Sequence, residues 1–163
     1  MSTQDAQRLE IDQYEKRWMM LTLGMLVVFA LAVGVSGFVM GFQVPGAEQR
    51  VDPNTVAEIG PFSEPGLREL SPGNYEAYIL GQIWNFIPNK VTVPLGSTVT
   101  FYFTSKDVQH GVILEDSNLN VMIVPGEISK VTVNFNKPGD FNFVCHEYCG
   151  VGHQAMYGTV TVE

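Results

Sequence analysis

The sequence predicts a mainly β protein, with one N-terminal transmembrane helix followed by a Greek-key β-sandwich or barrel. Three observations predict it. The 25 residues from Trp18 to Phe42 include no charged side chain. From Tyr75 onward, short runs of alternating apolar residues are separated by turn residues. No helical period competes with that alternation after the apolar run.

The apolar run comes first. A bilayer core about 30 Å thick is crossed by roughly 20 apolar residues in a helix. Residues 18–42 are therefore long enough to span with some tilt. A buried core helix is seldom apolar on every face over such a length. A cleaved signal peptide has a shorter apolar core ending in a small-residue cleavage site. An uncleaved single span fits better, with residues 1–17 as the polar start of the same helix. Lys16 and Arg17 directly precede the span and Arg8 is nearby, whereas the first basic residue after it is Arg50. The positive-inside rule then puts the N-terminus in the cytoplasm. The C-terminal part is expected outside an inner or plasma membrane, anchored in lipid by a single pass.

Residues 43–73 carry Pro45, Pro53, Pro61, Pro65 and Pro72 among several glycines and read as an irregular tether. The β domain is expected over 74–163. Its strands are read at Tyr75–Leu80, Lys90–Val93, Thr98–Thr104, Leu119–Val124, Ser129–Phe135, Asp140–Cys145 and Tyr157–Val162. Pro94-Leu95-Gly96, Pro125-Gly126 and Pro138-Gly139 supply turns between them. Residues 43–163 hold 13 Asp and Glu against 6 Lys and Arg. That balance argues against nucleic acid and favours a basic protein partner steered by the field.

The chemistry concentrates between the last two predicted strands. Cys145, Cys149, His153 and Met156 fall within twelve residues, and His110 sits far upstream in what reads as a loop. Loops at one end of a Greek-key sandwich converge, so His110 can meet this cluster. Thiolate and thioether donors combined with imidazole select copper. A mononuclear blue site uses one Cys, so the second thiolate permits a dinuclear centre bridged by two sulfurs. Each metal then takes one His, and Met156 and a backbone carbonyl complete the set. A Cys145–Cys149 disulfide accounts for the thiols but leaves His110, His153 and Met156 unexplained. A structural zinc site leaves Met156 idle. His146 has no matching role and is expected outside the ligand set.

The C-x-E-x-C-x3-H-x2-M string, with its upstream His, resembles subunit II of haem–copper cytochrome c oxidases. The likeness extends to Ser105-Lys106-Asp107-Val108-Gln109-His110-Gly111 and to Val124-Pro125-Gly126-Glu127. Arg50-Val51-Asp52-Pro53 and the Tyr14-Glu15-Lys16 lead into Trp18 resemble the B-type branch, as does a single span in place of two. The resemblance implies a cupredoxin fold holding the dinuclear copper A centre. It implies Cys145 and Cys149 as bridging thiolates, His110 and Met156 on one copper, and His153 with the backbone oxygen of Glu147 on the other. It implies electron input from a cytochrome c-like donor and transfer to haem in a partner, oxidase subunit I. No C-x-x-C-H motif is present to attach haem to this chain. The alternative is a membrane-anchored copper chaperone or assembly factor, whose distant His would lie downstream of the Cys pair.

Two further residues stand out. Trp84, in the apolar turn Ile83–Ile87, either caps the core or is exposed at the donor's docking patch, where the resemblance puts an aromatic for electron input. Glu15 either belongs to a solvated helix end or, as the resemblance implies, stands at the mouth of a proton path into subunit I.

Overall fold

The computed structural model describes residues 11–40 and 49–163. They fall into two compact units divided after Gly41. Residues 1–10 of the expected polar arm, the last two residues of the expected span and the first six of the tether lie outside the described residues.

The first unit is helix α1, Gln13–Met40, 28 residues with no buried side chain. At 1.5 Å per residue it is about 42 Å long, enough to cross a bilayer core. Among the described residues, the helix starts at a cap. Asp12 Oδ1 accepts the Tyr14 amide at 2.7 Å, and Glu15 Oε2 accepts the Asp12 amide at 3.3 Å. This reciprocal pair is a capping box, which satisfies amides that an helix start leaves orphaned.

The second unit is two five-stranded sheets packed face to face. The strands are β1 Gly66–Ser71, β2 Asn74–Gln82, β3 Asn85–Ile87, β4 Lys90–Val93, β5 Thr98–Ser105, β6 His110–Leu114, β7 Asn120–Ile123, β8 Ser129–Asn134, β9 Gly139–Val144 and β10 Tyr157–Val162. One sheet runs β1-β2-β5-β8 with β3 paired to β2; the other runs β4-β10-β9-β6-β7. Most pairings are antiparallel, but β2 with β5 and β4 with β10 are parallel. The chain leaves the first sheet after β3 for β4 in the second. It returns to lie beside β2 running in the same direction.

Alternation decides which faces meet. Ala77 and Ile79 of β2, Val99, Phe101 and Phe103 of β5, and Val131 and Val133 of β8 point inward. They meet Val91, Val93, Val112, Leu114, Phe143, Val160 and Val162 from the second sheet. Cys145, Cys149 and Met156 belong to the same core cluster.

Three strands escaped the sequence reading. β6 is buried on both faces, so it shows no alternation and opens on a His-Gly pair that reads as loop. His110 is therefore the first residue of a strand and not a loop residue. β3 has three residues only. β1 is an exposed edge inside the expected tether. The rest of that tether also does more than connect. Val56 and Phe62 pack with Leu80 and Ile128 on the outer face of the first sheet, beside Tyr78 and Tyr102. These two rings stack at 4.8 Å, with Arg68 over one and Lys130 near the other. Both hydroxyls donate to Glu76, at 3.0 and 3.2 Å. Burial, with help from Glu76, pushes the Tyr78 phenol up to about 12, so it remains a donor at any physiological pH.

Phe62→Ala tests whether this segment belongs to the fold. Removing a fully buried Phe is expected to cost about 3 kcal/mol, read by denaturant titration of the whole chain in detergent. A free tether would give no change.

Candidate metal centre

The loop from Cys145 to Met156 joins β9 to β10 and is closed at its base, where the Cys145 amide donates to the Met156 carbonyl at 3.0 Å. Gly150 takes φ +123°, a value that L side chains rarely adopt, and lets the loop reverse. His153–Ala155 then form one 3-10 turn. Residues three apart eclipse on such a turn. His153 and Met156 consequently face the same way, and both reach Cys149. His153 Nδ1 lies 3.6 Å and Met156 Sδ 3.7 Å from its Sγ.

The two sulfurs are 4.0 Å apart and both thiols are free. Cys145 Sγ donates to the Glu147 carbonyl at 3.3 Å. From the strand next to β9 in the same sheet, β6 brings His110, so that a nitrogen of its ring and both Sγ atoms lie within 4.8 Å of one another. The six residues that the sequence singled out as a set are thus gathered in one place. Cys145 and Cys149 are each 7% exposed and His110 is fully buried.

His110 explains its own orientation. Its Nε2 lies 2.9 Å from Asp107 Oδ1. A carboxylate only accepts, so Nε2 carries the proton and Nδ1 keeps a bare lone pair. Among the described residues, Nδ1 is the one buried side-chain nitrogen or oxygen with no hydrogen-bond partner. Leaving such an atom unpaired costs about 1–3 kcal/mol, and a metal ion would remove that cost.

Electrostatics point the same way. Burial alone would raise the Cys145 pKa, but the neighbouring His110 ring and the backbone at Gly111 and Glu147 outweigh it and hold the thiol below its ordinary value. Burial, followed by repulsion from Cys145, pushes Cys149 up. Burial would lower the His110 pKa, but Cys145 and Asp107 raise it. Soft sulfur and imidazole donors around a dry, anion-prone pocket fit copper, and two thiols allow two ions to be bridged.

Asp107 went unmarked in the sequence because a single acid in a loop has no periodicity to betray it. Burial tends to raise its pKa, yet hydrogen bonds from the Ile83 amide, His110 and the Val108 amide keep the carboxyl below the usual range. Trp84 is 43% exposed. Its indole N–H donates to the Cys149 carbonyl at 3.3 Å. The ring lies so close to the metal loop that a Cβ at Gly152 would sit 2.5 Å from Trp84 Cδ2. Ile83, Tyr148 and Val151 are exposed apolar neighbours in sequence of the same two loops. His146 lies over Gly111 and near the Glu147 carboxylate, at 3.5 Å, apart from the sulfur cluster. Glu15 belongs to the other unit, in the capping box of α1.

Comparison with known proteins gives a consistent picture. Residues 76–162 match the family described as cytochrome c oxidase subunit II, periplasmic domain. A cytochrome c oxidase subunit 2 from Thermus thermophilus is 39% identical over 154 residues, covering 92% of each chain. A chain in a solved haem–copper terminal oxidase dimer is 35% identical and superposes with a TM-score of 0.74, over 93% of this chain and 100% of that one. The periplasmic domain of subunit II of cytochrome oxidase from Bradyrhizobium japonicum, at 20% identity, shares the fold over 54% of this chain and 83% of its own, with a TM-score of 0.51.

The Trp84–Gly152 contact is directly testable. Gly152→Ala is expected to expel the indole and leave the barrel folded, because a side chain can swing away where backbone cannot. Acrylamide quenching of tryptophan fluorescence in the metal-free chain should rise above wild type, with far-ultraviolet circular dichroism unchanged.

Proposed function

The chain belongs to the cytochrome c oxidase subunit II family, and from that premise we propose that His110, Cys145, the Glu147 backbone oxygen, Cys149, His153 and Met156 hold the dinuclear copper A centre through which this subunit takes in electrons. The observation that carries the assignment is the buried, unpartnered His110 Nδ1 facing two free thiols 4.0 Å apart. When bound, the copper pair supplies a one-electron redox centre. The chain's own part is to hold the donors rigidly and keep water out. Cys145 and Cys149 would be shared by the two ions, His110 and Met156 would serve one of them, and His153 with the Glu147 carbonyl would serve the other. A copper chaperone must hand its metal on, which these nearly enclosed thiols do not favour.

The subunit works within a haem–copper oxidase whose subunit I reduces oxygen. The donor is proposed to be a basic cytochrome c-like protein that meets the exposed edge of Trp84. The indole touches the metal loop on its inner side and is open to solvent on the other. The chain's net charge of −8 would speed approach of such a donor. Helix α1 is proposed to anchor the subunit in lipid with its N-terminus cytoplasmic, since Lys16 and Arg17 flank only that end. The β domain then faces the periplasm. Glu15 is proposed to pass protons from the cytoplasmic side toward subunit I, because an ionisable group at the edge of a span is a candidate for function.

Three expected outcomes follow from this reading. The copper-loaded chain should contain two copper ions, and His110→Ala should lower that content; one copper or zinc in the wild type overturns the assignment. Met156→Leu should keep both ions but raise the reduction potential by about 59 mV or more, a tenfold one-electron shift, since losing a donor disfavours the oxidised state. An unchanged potential would leave Met156 a packing residue. Glu15→Gln keeps an acceptor for the capping box and removes the ionisable carboxylate. It should slow steady-state oxygen consumption of the intact oxidase while copper content stays normal, and wild-type turnover would return Glu15 to its capping role alone.

A further inference from the structure

Asp107 is the most heavily engaged side chain near the centre that is not itself a donor to metal. Its Oδ1 lies 2.9 Å from His110 Nε2 and accepts the Val108 amide at 2.6 Å. Its Oδ2 accepts the Ile83 amide at 2.7 Å, across 24 residues of sequence. Ser105 holds the carboxylate's own segment, with Oγ accepting the Asp107 amide at 3.2 Å and donating to the Val108 carbonyl. The Lys106 amide donates to the Gly81 carbonyl at 3.0 Å, which ties the segment to the end of β2. Gly81 in turn lies against the His110 ring, where a Cβ would meet Cδ2 at 3.2 Å. The carboxylate therefore divides its two oxygens between two different structures. One holds the imidazole and the other holds the turn that carries Trp84.

That turn is also gripped at its far side, where the indole N–H donates to the Cys149 carbonyl. Trp84 is thus fixed to the metal loop by its side chain and to His110 by the backbone next to it. The circuit closes through the centre, because Cys149 and His110 both line it. We propose that Asp107 is a positioning residue that couples the exposed Trp84 turn to His110, so that the surface meeting the electron donor and the imidazole facing the copper are held by one carboxylate. Fixing the proton on Nε2 keeps Nδ1 free toward the metal. Holding the Ile83 amide keeps the indole seated on the loop. Metal occupancy and the order of the Trp84 turn are then linked, and linkage between two sites is reciprocal.

The inference rests on His110 being a copper ligand, and the test separates the two. In the full-length chain in detergent, Asp107→Asn offers one acceptor where two are needed. Copper affinity should fall 10–100-fold, as expected when the outer partner of a metal-bound histidine is lost. The reduction potential of the remaining copper-loaded protein should rise, since a negative charge beside the oxidised centre is gone. Hydrogen exchange supplies a readout that needs no variant. Protection of the Ile83 amide in the wild type should increase on copper loading, and Asp107→Asn should abolish the increase. Equal Ile83 exchange in metal-free and copper-loaded wild type overturns the coupling. So does wild-type potential and affinity in Asp107→Asn when His110→Ala has lost copper. If His110→Ala itself keeps both ions at wild-type affinity, the ligand assignment fails instead.

Discussion

Two thiols, an imidazole and a thioether must be kept dry and close together, and the imidazole must offer a lone pair that nothing in the protein uses. This constraint organises the domain. Sulfur is apolar enough to join a hydrophobic core, so Cys145, Cys149 and Met156 are continuous with the phenylalanine cluster between the sheets. The imidazole has no such freedom. His110 is completely buried, and its Nε2 needs an acceptor before its Nδ1 can face the sulfurs. Asp107 provides it. Burial of the same carboxylate is outweighed by hydrogen bonds from the Ile83 amide, His110 and the Val108 amide, which hold it below the usual carboxylate range.

The scaffold supplies stiffness on both sides of that arrangement. The metal loop hangs between β9 and β10, which pair over six register positions from Tyr157 with Val144 to Val162 with Gly139. Closure at Cys145 and Met156 continues that ladder to the ligands themselves. His110 starts β6, which pairs with both β7 and β9. Side chains rooted at strand ends, as those of His110, Cys145 and Met156 are, move less than side chains in the middle of long loops. The opposite sheet is stiffened from outside. Phe62 and Val56 cover it, and the Tyr78–Tyr102 stack with its two cations and shared Glu76 closes the edge of that cover. A stacked aromatic pair contributes about 0.5–1.5 kcal/mol beyond its burial, which suits a segment with little regular structure of its own.

The two carboxylates flagged or found outside the sulfur cluster illustrate how a structural and a functional role can share one side chain. Glu15 accepts an amide at the start of α1, and an acid in the first helical turn is favoured by the dipole as well. Asp107 accepts the Ile83 amide of a turn and holds the His110 ring at once. In both, the amide of the side chain's corresponding carboxamide would preserve part of the bonding and delete the charge, so structure and chemistry are separable by substitution.

Residue order alone determined a good deal. The uncharged run ahead of the domain, seven strands by alternation, and the clustering of Cys145, Cys149, His153 and Met156 were all legible, because local spacing encodes helix, strand and loop. What lay beyond reach has a common cause: it depends on neighbours far away in sequence. β6 is buried on both faces and so loses the period that marks a strand. β1 and the cover of residues 53–64 look like tether until the outer face of β2 and β5 is there to receive Phe62. The parallel pairing of β2 with β5 follows from the crossing between sheets. Asp107 acquires meaning only when the fold brings Ile83 to one of its oxygens and His110 to the other. Identity of the donors is a property of the chain; which of their atoms is free to bind is decided by tertiary hydrogen bonds.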